Sequence, residues 1–188
     1  MSGGLHPPPP LAAPDRSPGD SCAPRAITTS PPKRLASELD PLTRVHNRRG
    51  LRGAFEELLP VAHAQAGGTS VALVALRALT EVNDAHGCLE GDRCLRWFAS
   101  RLVADLPAAE VGRWGGSEFV VLLPATAPEA ALELIAGAVE RARANPVRGI
   151  APVDFDLSVS VGLSPGHLSS VLCLDELVRL AGARRLPL

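Results

Sequence analysis

Apolar residues recur along this chain with two periods, and the switches between them mark out its elements. Leu51, Phe55, Leu58, Leu59 and Ala62 lie at helical spacing and predict an amphipathic helix from about Asn47 to Gln65. Pro60 falls inside that pattern and is expected to end or kink it, because it lacks an N–H and crowds the preceding turn. Gly67-Gly68 closes the segment. Val71 to Leu76 is a continuous apolar run, too short for a helix and suited to a central strand. A short helix is predicted over Thr80 to Ala85, with Gly87 behind it. Leu95, Phe98, Ala99, Leu102, Val103 and Leu106 then follow the most regular helical stripe in the chain and read as core.

Next, two strand-like runs flank Gly115-Gly116 between Val111 and Leu123, which is a hairpin signal because glycine takes positive φ at no steric cost. Phe119, Val121 and Leu123 alternate onto one face and Val120 and Leu122 onto the other, so the outgoing strand reads as buried on both sides. Thr126-Ala127-Pro128-Glu129 has the form of a capping box. The helix it opens carries the stripe Leu132, Ile135, Ala136 and Val139, and ends near Asn145-Pro146. Val153 to Val161 alternates strictly, as a half-buried strand does, and Leu174 to Ala181 reads as a last short helix. This order predicts an α+β domain with a mainly antiparallel central sheet flanked by helices.

Composition changes the picture mainly at the start of the chain. Nine of the 18 prolines precede Leu35. Residues 1–36 therefore read as a disordered or polyproline-II tail without the apolar periodicity that could offset chain entropy, and 37–188 as the folded domain. The chain lacks the pattern of a signal peptide, and its longest strongly apolar run is far below the ~18 residues of a membrane span. A cytoplasmic location is expected, with no membrane contact. A net charge of −1 gives no electrostatic reason to expect nucleic acid. Cys22, Cys88, Cys94 and Cys173 form no C-x-x-C pair, and the five scattered histidines suggest no metal cluster.

Three motifs carry the chemistry. Gly115-Gly116-Ser117-Glu118-Phe119 resembles the GGDEF signature of bacterial diguanylate cyclases. Upstream, Asp40-Pro41-Leu42-Thr43-Arg44-Val45-His46-Asn47-Arg48-Arg49 is similar to that family's D-x-L-T-G-L-x-N-R-R. Between them, Val82-Asn83-Asp84 through Gly91-Asp92 resembles I-N-D-x-x-G-H-x-x-G-D. The resemblance implies a palm-like nucleotidyl cyclase fold with a GGSEF hairpin. Such enzymes join two GTP molecules into cyclic di-GMP with loss of two pyrophosphates, one GTP on each domain of a facing pair. They use two Mg²⁺ ions held by carboxylates, which neutralise the triphosphate and activate the nucleophile.

Residue by residue, the carry-over is uneven. The family's metal-binding aspartate on the first strand falls on Ala75, its second acid on Arg77 and its phosphate-binding lysine on Thr80. Ser117 stands where the signature's third position is acidic, so Ala75 and Ser117 are degenerate metal positions and Glu118 is a vestigial catalytic acid. The chain ends about where the family's last helix supplies a Lys and an Arg to the phosphates; Arg184 and Arg185 sit early for that role, and Lys33, the single lysine, lies in the tail. The inhibitory R-x-x-D would begin at Leu106, and Leu106-Pro107-Ala108-Ala109 does not match it. The substrate-binding positions Asn83, Asp92, Gly115 and Gly116 are kept. A carboxylate can accept from guanine N1–H and N2–H₂, and an amide can pair with the acceptor edge. Asn83 and Asp92 also suit caps of a turn and a helix, and both readings stand at this stage.

The expected function is a catalytically inactive GGDEF domain acting as a guanine-nucleotide-sensing or protein-interaction module in cyclic di-GMP signalling, without a cofactor. The alternatives are an active cyclase with unusual Mg²⁺ ligands or one completed by a partner, and a scaffold that meets no nucleotide. The partners implied are weakly bound GTP or another guanine nucleotide, a second copy of the chain, or a GGDEF/EAL-type signalling protein.

Overall fold

The computed structural model describes residues 36–64, 69–77, 79–149, 155–160, 173–183 and 186–187. A short 3-10 turn, Ala36–Glu38, leads into α1 (Arg48–Ala64), β1 (Thr69–Leu76), α2 (Leu79–His86) and α3 (Cys88–Asp105). A hairpin of β2 (Glu110–Gly115) and β3 (Glu118–Pro124) follows, then α4 (Pro128–Ala144), β4 (Phe155–Ser160), α5 (Leu174–Ala183) and a two-residue β5 (Leu186–Pro187). The five strands form one sheet in the order β2-β3-β1-β4-β5, and every pairing between them is antiparallel. The α+β architecture expected from the apolar periods is therefore the one formed.

The central strands explain why the chain needs helices on both sides. Alternation sends Ala72, Val74, Leu76, Phe119, Val121 and Leu123 into a core with α3 and α4, where Phe98 meets Phe119 edge to face at 5.3 Å. Val71, Leu73, Val120 and Leu122 enter a second core with Leu51 and Phe55 of α1 and Leu174, Leu177 and Val178 of α5. Both β1 and β3 are thus buried on both faces, which their unbroken apolar runs require.

Several local expectations are corrected. The α1 assignment continues through Pro60 to Ala64, so the proline does not end it. Thr126 does not cap α4; the N-cap is Ala127 with no side-chain bond, and the Thr126 hydroxyl donates to Pro124 O instead. Pro128, already lacking an N–H, reduces what a cap has to satisfy. Val103 is 50% exposed at the side of the α3 stripe, while Leu102 and Leu106 to either side of it along the chain stay buried. The buried face of α4 is Ala131, Ile135, Ala138, Val139 and Ala142, with Leu132 and Ala136 at its margin. Alanines let that helix lie close, and their small side chains hid them from a reading based on large apolar residues. The described part of the alternating strand is Phe155–Ser160; its flanks, the proline-rich tail, and Arg184 and Arg185 lie outside the described residues.

Candidate functional site

The Gly-Gly hairpin is the hub of the site. Gly115 closes β2 opposite Glu118, leaving Gly116 and Ser117 as the turn, with Gly116 at φ 51° where a side chain would be strained. The register slips by one residue at Trp114 just before the turn, as in a β-bulge. Arg113 clamps the turn: its Nε and Nη2 donate to Gly116 O at 3.0 and 2.8 Å, and its Nη1 approaches both Asp40 oxygens at 3.4 to 3.5 Å. The first residue of the upstream motif is thereby fixed to the hairpin.

The rest of that motif is stitched to the same strand. His46 donates its N–H to Val111 O and accepts from Arg113 N–H, while its buried imidazole bonds Glu110 at 3.1 Å. Asn47 caps α1, its Oδ1 accepting from Gly50 N–H at 3.0 Å, and its Nδ2 donates to Ser37 O and Leu39 O. Burial pushes the Asp40 carboxyl up, but two hydrogen bonds from Thr43 and the Arg113 cation outweigh it and hold the group below the usual carboxylate range.

The positions matching the family's metal ligands meet in one cross-strand row. Ala75 on β1 pairs with Glu118 on β3 and Asp156 on β4. Ser117, half-buried in the turn, gives its backbone carbonyl to Leu76 N–H. Glu118 lines a cleft of about 320 Å³ with Arg48, Trp114, Asp175 and Arg179 among its other walls. The hydrogen bond from Arg52 is the main cause holding the Asp175 carboxyl low, so that carboxylate is committed to an ion pair. With Glu118 flanked by a methyl at Ala75, a hydroxyl at Ser117 and the guanidiniums of Arg48 and Arg179, the set does not fit a pair of Mg²⁺ ions, which need several anionic oxygens at about 2.1 Å. Among the described residues no three His, Cys, Asp or Glu side chains converge as a metal site. Arg77 and Thr80 are both exposed.

Asn83 on α2 and Asp92 on α3 belong to two helices that pack together, and neither caps a helix. Asn83 lies inside α2, and α3 begins at Gly87, whose φ of 86° suits glycine alone, with no side-chain cap. The Oδ1 of Asn83 is buried without a hydrogen-bond partner. It rests against Gly91, where an added Cβ would come within 1.9 Å. Gly91 thus lets α3 approach closely enough to enclose the amide, and the turn-and-cap alternative for these two residues is set aside.

The family model for the diguanylate cyclase GGDEF domain matches residues 37–182. The chain belongs to the GGDEF-domain family. The diguanylate cyclase DgcP of Pseudomonas aeruginosa is 39% identical over 106 residues, covering 56% of this chain and 15% of DgcP. The cyclic di-GMP phosphodiesterase PdeR of Escherichia coli is 32% identical over 136 residues, covering 71% of this chain and 20% of PdeR. This GGDEF chain spans only about 15 to 33% of the length of such relatives. Among solved structures, a sensory box/GGDEF family protein from Caulobacter crescentus superposes with a TM-score of 0.66 at 28% identity, covering 78% of this chain and 94% of that one. Diguanylate cyclase SiaD of Pseudomonas aeruginosa, crystallised with its activator SiaC, gives 0.63 at 28%, covering 80% and 60%. No described helix of the chain is long and apolar enough to cross a membrane.

Asp40, Arg48 and Arg49 stand in the upstream motif but were given no site role from sequence, and Arg113 was not singled out at all. One signal was available: the first two turns of α1 carry Arg48, Arg49 and Arg52 and the first turn has no acid, against the preference set by the helix dipole.

Proposed function

We propose that this GGDEF domain makes no cyclic di-GMP and serves as a guanine-nucleotide-sensing or protein-interaction module in cyclic di-GMP signalling. One observation carries the reading: a methyl at Ala75, in the cross-strand row it shares with Glu118 and Asp156, and a hydroxyl at Ser117 in the adjoining turn stand where the family's chemistry needs carboxylates. Removing one well-placed electrostatic group commonly costs ~10²–10³ in rate, and here two metal ligands and the phosphate-binding lysine matched by Thr80 are replaced together. The buried, unpartnered Oδ1 of Asn83 supports retention of base recognition, since an enclosed acceptor without a partner is costly unless a ligand supplies one. The crystallised pairing of SiaD with SiaC is a precedent for protein regulation in the family.

Base-edge hydrogen bonds and modest ring burial without metal or phosphate contacts should net about 4–5 kcal/mol, a Kd on the order of 0.1–1 mM. Calorimetric titration should therefore find GTP and GMP preferred over ATP, with little dependence on Mg²⁺. Asp92→Ala should erase the preference by deleting the acceptor that distinguishes guanine from adenine. Tight, Mg²⁺-dependent GTP binding would assign an active cyclase with unusual or partner-supplied ligands. Binding that ignores both base and Asp92, or no binding at all, would leave a scaffold.

A further inference from the structure

We infer that the arginine-lined hollow beside the Gly115–Gly116 turn binds a multiply charged phosphate group of the pyrophosphate class. It has a volume of about 540 Å³, within the roughly 300–1,000 Å³ of small-molecule sites. Arg48, Arg49, Arg52 and Arg113 line it, against the single carboxylate of Asp40. Two of the four cations are already compensated: Arg113 by Asp40, and Arg52 by Asp175 at 2.7 Å. Arg49 is not, and Arg48 feels the charge of Asp175 without a hydrogen bond or ion pair to it. Both arginines occupy the first turn of α1, where the helix dipole adds further positive potential.

Arg48 is held ready for an anion. Its Nε donates to Trp114 O, and its guanidinium lies 5.0 Å from the Trp114 ring centroid. These contacts fix the side chain, while its Nη groups donate to nothing among the described residues. A Cβ at Gly115 would come within 3.1 Å of Arg48 Nη2, so the glycine makes room for the guanidinium over the turn. Gly116 has open space where a side chain would stand, leaving the approach clear. Arg49, exposed and making no hydrogen bond or ion pair among the described residues, completes a pair of unused forks. Planar forks with parallel donors match phosphate oxygens, and two adjacent like charges gain from an anion between them. The Trp114 ring is engaged by Arg48, so the ligand is recognised by its phosphates and not through a stacked base.

This site does not depend on the guanine pocket, and pyrophosphate, which carries no base, reads it separately. The full chain is titrated with sodium pyrophosphate by calorimetry at constant ionic strength, with sulfate as the comparison anion. Saturable binding is expected, tighter than sulfate, and weakened about tenfold by Arg49→Ala. Arg48→Lys, which keeps the charge and loses the fork, should weaken it similarly; Arg96→Ala, removing an exposed charge on α3, should not. Competition by GTP and ATP alike would identify the polyphosphate end of a nucleotide as the ligand; its absence would identify free pyrophosphate. No saturable binding, equal affinity for sulfate, or affinity unmoved by both Arg49→Ala and Arg48→Lys would overturn the assignment.

Discussion

The carboxylate of Asp40 joins the start of the domain to its hairpin by facing Arg113, 73 positions along the chain. Its lowered pKa makes that link pH-dependent with a definite sign. An acid whose folded pKa lies below its unfolded value contributes fully above the unfolded pKa, about 4, and loses the contribution as pH falls through the folded one. Asp40→Asn should cost about 1–2 kcal/mol at neutral pH. The gap to wild type in urea unfolding should narrow as pH falls below about 4; a gap constant from pH 7 to pH 2 would refute the linkage. Asn83 offers a second test at this scale. Gly91→Ala drives a methyl into its Oδ1, so guanine preference in calorimetry should vanish while the far-UV circular dichroism spectrum is kept. Preference unchanged in that variant would remove Asn83 from the pocket. Asn83 and Asp92 were legible by motif, but only the packing of α2 on α3 distinguishes an enclosed amide from a turn cap.

The elements were legible wherever burial is deep and the period long. β1 and β3 are buried on both faces and α3 packs its stripe on the sheet, so their apolar patterns had one solution. The misses follow from weaker constraints. Thr126 loses its cap role because its hydroxyl is taken by Pro124 O, a local contact that competes with capping. The α4 face was misread because its contact residues are alanines. Val103 fits the helical period but lies at the side of the stripe. Phe98 is the test of this packing: fully buried and edge-on to Phe119, it joins α3 to the hairpin strand. Phe98→Ala should cost about 3–5 kcal/mol in chemical denaturation, and a cost under 1 kcal/mol would contradict the described core.

At the scale of the whole molecule, antiparallel pairing brings together residues from distant parts of the chain. The row of Glu118, Ala75 and Asp156 follows from strand order, and Asp156 looked from sequence like one more polar position on a half-buried strand. The arginine hollow depends on topology in the same way, since α1 and the β2–β3 turn are about sixty residues apart and meet only after the upstream motif docks on β2. Motif spacing named the family and the missing carboxylates; it carried no information on what surrounds them. The most direct test of the proposed loss of cyclase chemistry is a product assay. Purified chain is incubated with GTP and Mg²⁺, or Mn²⁺, and cyclic di-GMP is quantified by chromatography and mass spectrometry. The account predicts none above the no-protein background. Product reaching the protein's own concentration within an hour, and lost in Glu118→Ala, would contradict it.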